Sequence, residues 1–249
     1  MTTYQFTVSP DFSPRHLSGW HIFNTWLQRK TDEHIHLEMY AGFHQQHQAI
    51  KEDKVDLIYA NPLDAAILVR EKNFLPLVKA KNVSDEALIA TSVDSGFDSL
   101  DDLWPDITIA VTEDSDVRMV GMMLLEAVDL SVDNSRFLEC DSYVLVTKQL
   151  LQGKADVGVF LASAYDDLTT ITKNKLKTLA RSEISDIYHT LLLGPKLHAK
   201  RQEWQALMVS MNEDAVGLNI LQSLGFETWS AVSDEDMEFM IDLMNTLAI

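Results

Sequence analysis

A chain of 249 residues, 46% apolar and 23% charged, has the balance of an ordinary globular protein with enough length for one full core or two smaller ones. Its formal net charge of −18 argues against nucleic acid and anionic membrane as partners, because both are held by basic patches. The single cysteine, Cys140, excludes an internal disulfide, and no apolar run approaches the length of a membrane helix.

Met1-Thr-Thr-Tyr-Gln-Phe enters a strand at once, with no charged and then apolar leader ahead of it. As written, the chain is therefore expected to be cytoplasmic, or periplasmic if it is a trimmed mature form. Tyr4 to Val8 alternates as a strand, and Ser9-Pro10-Asp11-Phe12-Ser13-Pro14 is a loop. Leu17, Trp20, Phe23 and Leu27 recur at helical spacing, ending near Arg29-Lys30. Ile35 to Met39 is a second strand, and His44 to Glu52 a polar helix after Gly42. Val55 to Ala60 is a short apolar run, read as a strand buried on both faces with Asp56 just inside its start. Asn61-Pro62 stops it, and Pro62 can open the helix that follows through Val69. Leu75 to Val78 is a fourth strand. Strand and helix alternate with short joins, which predicts a parallel sheet built from crossovers.

The rhythm changes near residue 84. Ala87 to Ser92 is a strand, Ser99 to Leu103 one helical turn, and Ile107 to Val111 a strand. Thr112 to Asp116 reads as a polar loop before a helix through Val128. Phe137 to Cys140 is a strand, Ser142 caps a helix to Leu151, Gly153 ends it, and Val157 to Phe160 is a strand. Leu176-Thr178 and Ile187-Leu193 are strands that could lead back to the first set. The remainder reads as helical: Trp204, Leu207 and Met211 mark one helix, Val216, Ile220 and Leu224 another. Met237, Met240, Ile241, Met244 and Leu247 mark the last, with Ser233 and Asp236 spaced as a capping box. Two α/β lobes follow, residues 1–83 with 184–249, and 84–183 inserted between them. Paired crossovers would let such lobes close on a small molecule.

Three segments in order carry a resemblance: Lys54-Val-Asp56 to Pro62, Ser99 to Leu103, and Gly153-Lys-Ala-Asp156. Together they are similar to the phosphate/phosphonate substrate-binding proteins of ABC transporters, and the resemblance implies a type II periplasmic-binding fold with a ligand in the inter-lobe cleft. It implies a small-molecule ligand and an ABC permease, with no catalysis and no cofactor, whereas the missing leader points instead to a signalling or metabolic partner. Residue by residue, the family's aromatic at the start of the helix before the third strand falls on Phe43. Its Gly-Pro falls on Asn61-Pro62, with Asp64 near the place of its tyrosine. Its Ser-Thr-Ser-Gly turn, which holds the phosphonate at a helix N-terminus, aligns with Asp114-Ser115-Asp116-Val117, and its Ser-His with Ser142-Tyr143. The expected ligand set is Ser9, Phe43, Asn61, Asp64, Ser115, Ser142 and Tyr143. Carboxylates now stand where hydroxyls are expected, and like charges a few Å apart repel by roughly 1–4 kcal/mol. The fold is therefore expected and an oxyanion ligand is not. Arg118 could offset one charge, or be an ordinary first-turn surface residue paired with Asp114.

Other readings compete. His34 and His36 share one side of a strand, His44 and His47 a helix face, and His16 and His21 lie by the first helix, but none has a metalloenzyme spacing and no metal site is expected. An enzyme on the same fold would need His16, His44 or Cys140 in the cleft. The acid beside Cys140 opposes a reactive thiolate. Asp53, Asp56 and Asp156 read as structural. Phe12, Phe43, Tyr59, Tyr143 and Phe160 fall near strand ends, each a core residue by itself, together a possible cleft wall. A degenerate pair of lobes kept as an interaction module is the third reading.

Overall fold

A computed structural model describes residues 2–12 and 14–247, so Ser13 of the predicted loop and the terminal Met1, Ala248 and Ile249 lie outside the described residues. The first half of the chain gives β1 (Thr3–Val8), α1 (Leu17–Thr31), β2 (His34–Glu38), α2 (Phe43–Lys51), β3 (Leu57–Ala60), α3 (Pro62–Lys72) and β4 (Leu75–Ala80). Then come β5 (Ala87–Ser92), β6 (Thr108–Val111), α4 (Ser115–Glu126), β7 (Arg136–Glu139), α5 (Tyr143–Leu151) and β8 (Val157–Leu161). Short helices α6 (Ala162–Asp166) and α7 (Thr170–Lys173) precede β9 (Leu176–Arg181) and β10 (Thr190–Leu193). The chain ends with α8 (Arg201–Val209), α9 (Ala215–Leu224), β11 (Trp229–Ala231) and α10 (Asp234–Leu247).

The contacts divide the chain into two units. One is Met1–Val83 with Tyr188–Met244; the other is Ser84–Ile187 with the chain end from Asn245. Each unit has its own sheet, in the order β11-β4-β10-β3-β1-β2 and β7-β6-β8-β5-β9. The expectation of a parallel sheet holds only for β2-β1-β3 and for β7-β6-β8. The strands β10 and β11 run against their neighbours in the first sheet, and β5 runs against both β8 and β9 in the second. Alternation of strand and helix predicts parallel neighbours only where a helix connects them. The strands next to the two connections between units have no such helix.

Leu176–Arg181 pairs with β5 and completes the second sheet, and Thr190–Leu193 is the strand that rejoins the first. Two further expectations are corrected. The C-terminal remainder is not wholly helical, because Trp229–Ala231 forms an edge strand on β4. Three residues are too few for a period-two pattern to register, and the strand is made by its pairing. The helix expected after Asp116 begins at Ser115, which moves Ser115 and Asp116 into its first turn.

One local device occurs in both units and explains the Lys-x-Asp motif. At the end of α2, Asp53 takes a left-handed conformation (φ 54°), and at the end of α5, Gly153 does the same (φ 63°). In each case the following lysine amide returns to the helix, Lys54 to Ala49 and Lys154 to Gln149, both at 3.0 Å. The aspartate two residues on then locks the next strand. Asp56 accepts the Gln5 amide at 2.9 Å, and Asp156 accepts the Thr108 amide at 2.7 Å. The buried Asp56 and the partly buried Asp156 are thus both held by backbone donors of the neighbouring strand, a structural use, as expected. Lys196 closes on Asp56 at 2.8 Å as well.

The first core is aromatic. Phe6, Trp20, Phe23 and Trp229 are all at most 2% exposed, and Trp20 packs on Tyr59 with ring centroids 4.9 Å apart. Aromatic side chains bury large areas, so this cluster fixes α1 against the sheet. The second core joins Leu88, Ala110, Val146, Leu150, Phe160 and Tyr165. Gly121 lets α4 lie directly on β8: a Cβ there would stand 2.4 Å from a methyl of Val159. Met237, Met240, Ile241 and Met244 are buried as their stripe predicts, and Ser233 and Asp236 form the reciprocal cap, with amide contacts of 2.9 and 3.0 Å. Val216 departs from its stripe and faces solvent, as does Leu17 at the start of α1. Among the described residues no helix is long and apolar enough to cross a membrane.

Candidate functional site

In an α/β sheet, ligand groups gather beyond the carboxyl ends of parallel strands, beside helix N-termini. The first unit places four of the predicted residues there. Ser9 follows β1, is fully buried, and donates its amide to Tyr59 at 2.8 Å. Asn61 follows β3 and caps α3. Its Oδ1 accepts the Asp64 amide at 2.8 Å, and its Nδ2 donates to Asp64 Oδ2 at 3.2 Å and to Ser9 Oγ at 3.4 Å. Phe43 opens α2, half-buried, with its ring 6.0 Å from that of His47. The fold therefore brings Ser9, Asn61 and Asp64 into one buried hydrogen-bonded chain, and His47 extends it by a 2.8 Å contact from Nε2 to Asp64 Oδ1. The hydrogen bond to Asp64 raises the His47 pKa above its ordinary value, against an opposing effect of burial.

Sequence reasoning passed over two residues at the same strand ends. His189, just before β10, lies 3.1 Å from both carboxylate oxygens of Asp11 in the loop after β1. Its ring stacks on Tyr59 at 5.3 Å and 26°. Asp11 and His189 are 178 residues apart in the chain, and no local pattern links them. The sequence put Asp11 in a loop after one strand and His189 inside another, Ile187 to Leu193, which the structure begins at Thr190.

The second unit holds the other three predicted residues, Ser115 at the start of α4 and Ser142 and Tyr143 at the start of α5. Asp114 and Asp116 are 3% and 1% exposed, so two buried carboxylates flank the exposed Ser115. Ser115 Oγ donates to the Glu113 carbonyl at 3.3 Å rather than capping α4. The Tyr143 hydroxyl donates to Asp114 Oδ2 at 2.7 Å. Burial, then the Asp114 charge, push the Tyr143 pKa well above its usual value, so this phenol remains a donor throughout the ordinary pH range. Ser142 is the expected cap of α5, accepting the Leu145 amide at 3.4 Å. The pairing expected between the Arg118 side chain and Asp114 does not form. Arg118 turns to Glu139 at 3.6 Å and lies over the Phe137 ring at 4.3 Å.

Of the three residues offered for an enzyme, Cys140 is buried and His16 is engaged elsewhere. Cys140 is 7% exposed, and burial, then the charge of Asp141, raise its pKa. His16 contacts the Ser223 carbonyl at 3.1 Å and packs over Gly225, whose left-handed φ of 80° turns the chain beneath it. His44 is exposed on α2. Of the five aromatics offered as a wall, Tyr59 and Phe160 belong to the two cores, Phe12 and Tyr143 pack at their margins, and Phe43 is half-buried.

Comparison with known proteins places this arrangement. Residues 6–237 match the family of the ABC transporter, phosphonate, periplasmic substrate-binding protein. No match is found among curated proteins. Among solved structures, the chain is similar to PhnD1 from Prochlorococcus marinus (MIT 9301) in complex with methylphosphonate, with a TM-score of 0.83, 10% identity and 99% of each chain covered. It is similar to XAC2383 from Xanthomonas citri bound to chloride ion, with a TM-score of 0.78, 15% identity and 98% of each chain covered. It is also similar to a binding protein component of an ABC phosphonate transporter (PA3383) from Pseudomonas aeruginosa, with a TM-score of 0.74, 16% identity, and 99% of this chain and 89% of that one covered. The fold is the type II periplasmic-binding fold expected from the ordered motifs. This chain belongs to the family of phosphonate-type periplasmic substrate-binding proteins of ABC transporters.

Proposed function

We propose that the protein binds a small organic solute for transport and that the group it recognises at the start of α4 is neutral or cationic, not a phosphonate oxyanion. The observation that carries this is the pair of buried carboxylates, Asp114 and Asp116, at the helix end where the resemblance puts a hydroxyl turn. A helix N-terminus attracts negative charge, and here the chain supplies that charge itself. An incoming phosphonate would face it at close range, in a site with little water to screen it. An amine, amide or zwitterion would meet acceptors instead. In this reading Ser9, Phe43, Asn61 and Asp64 of the first unit and Ser115, Ser142 and Tyr143 of the second form the ligand set. His189 and Asp11 are added to it, since they flank the same strand ends as Ser9 and Asn61.

The protein acts without catalysis, as the engaged states of Cys140 and His16 favour, and its macromolecular partner is an ABC permease. The periplasm is the proposed site of action, following the family. The test is a melting-temperature and calorimetry panel containing methylphosphonate, phosphate, alkylsulfonates, primary amines and zwitterionic amino compounds. A rise with an amine or zwitterion and none with methylphosphonate is expected. A strong, saturable shift with methylphosphonate would refute the proposed ligand class.

A further inference from the structure

The first unit carries a second, separate concavity. A groove of about 840 Å³ runs between α1 and α9, lined by residues from His21 to Lys30 and from Asp214 to Ile220. Its floor is Trp26 and Ile220, 6% and 5% exposed. Ile22 and Val216 stand at its sides, 50% and 63% exposed. These two aliphatic residues are not needed by the core: Ile22 lies outside the Trp20-Phe23-Leu27 stripe, and Val216 leaves the stripe that Ile220 and Leu224 continue inward.

Charge along the groove is uneven. On α1 the ridge Ile22, Trp26, Arg29, Lys30 passes from aliphatic to aromatic to cationic. Among the described residues Arg29 has no carboxylate partner. Lys30 reaches only Asp214, at 3.9 Å with both side chains about half exposed, and Asp214 is itself engaged in capping α9 through the Gly217 amide at 2.8 Å. In a chain of net charge −18 this is a local cationic end on an apolar trough. The volume is that of a small-molecule site, within roughly 300–1,000 Å³. The lined stretch of α1 is about 13 Å long at 1.5 Å per residue, which suits a short chain or ring better than a docked helix.

We propose that this groove binds a small amphiphilic carboxylate, its apolar body along Ile22, Trp26 and Val216 and its carboxylate on Arg29 and Lys30. The guanidinium fork of Arg29 matches a carboxylate in two parallel hydrogen bonds, and Trp26 supplies a flat apolar floor. The inference is independent of the ligand set described above.

The test is calorimetric titration of the whole chain with octanoate below its aggregation concentration, in parallel with octylammonium and octanamide. Octanoate is expected to bind one to one and in preference to both. Arg29→Gln with Lys30→Gln should weaken it about 3- to 10-fold, the range for screened charge-assisted contacts. Val216→Asp, a change at an exposed position, should abolish binding while the melting temperature stays within a degree or so of the parent's. Absence of saturable binding, equal binding of octylammonium, or octanoate binding unchanged in the Arg29/Lys30 variant would overturn the proposal. Sedimentation of the parent completes it: a dimer that Val216→Asp dissociates would assign the groove to a second copy, which also overturns it.

Discussion

Replacing Asp116 by Asn removes one of two buried carboxylates from the start of α4 while keeping the side chain's size. Asp116 is 1% exposed, so mobile ions screen it poorly. Asp114 is left in place because its Oδ2 receives the Tyr143 hydroxyl. For unit charges 4 Å apart the repulsion is about 1 kcal/mol at the dielectric of water and about 4 kcal/mol at an effective value near 20. At 1.4 kcal/mol per tenfold, relief of one such repulsion raises the affinity for methylphosphonate by about 5-fold to several hundred-fold. Calorimetric titration of parent and variant with methylphosphonate at pH 7.5 and two salt concentrations measures this directly. The gain should shrink at high salt, and Asp116→Ser, which restores a hydroxyl, should gain at least as much. If the parent already binds methylphosphonate tightly, or if folded Asp116→Asn binds it no better, charge at the helix end does not set the ligand class.

Three predictions concern the scaffold of the site. Asn61→Ala removes the α3 cap and Asp64's amide acceptor, at a cost of about 0.5–2 kcal/mol, or roughly 1–8 °C in Tm for a chain of this size, and Asn61→Ser should recover most of it. Equal melting of Ala and Ser variants would show that the cap is not what Asn61 contributes. The hydrogen bond to Asp64 raises the His47 pKa, so its charge-dependent stabilisation is complete below about pH 6.5 and fades as pH rises through the raised folded value. His47→Gln should therefore melt below the parent at pH 6 and with it at pH 9, whereas a constant offset would refute the assignment to charge. Gly121→Ala forces a Cβ onto Val159 and should destabilise by about 1–3 kcal/mol in denaturant titration, with Val159→Ala in the same chain relieving much of the loss. Additive losses in the double variant would place the strain elsewhere.

The sequence made the family legible through local chemistry. A helix must stop before a parallel strand can begin, so a left-handed residue, Lys-x-Asp and an apolar run recur at 53–60 and 153–160. The Asn-Pro pair marks the start of α3 because a cap and a preset φ are properties of two adjacent residues. For the same reason Ser142 and the Ser233–Asp236 box were readable as caps. The substitution of carboxylates for hydroxyls at Asp114 and Asp116 was visible as residue type in an aligned turn.

What pairs across the chain was not visible. The direction of β5 and β10 and the three-residue strand at Trp229 depend on neighbours up to 153 residues away. Side-chain pairing followed the same divide: Arg118 chose Glu139 and the Phe137 ring over the nearer Asp114, and Asp11 found His189. Composition and periodicity report where a residue sits along its own helix or strand, and this determined elements, caps and family. Which charges are buried together is fixed only when distant segments exclude water around them, and that the tertiary structure decided.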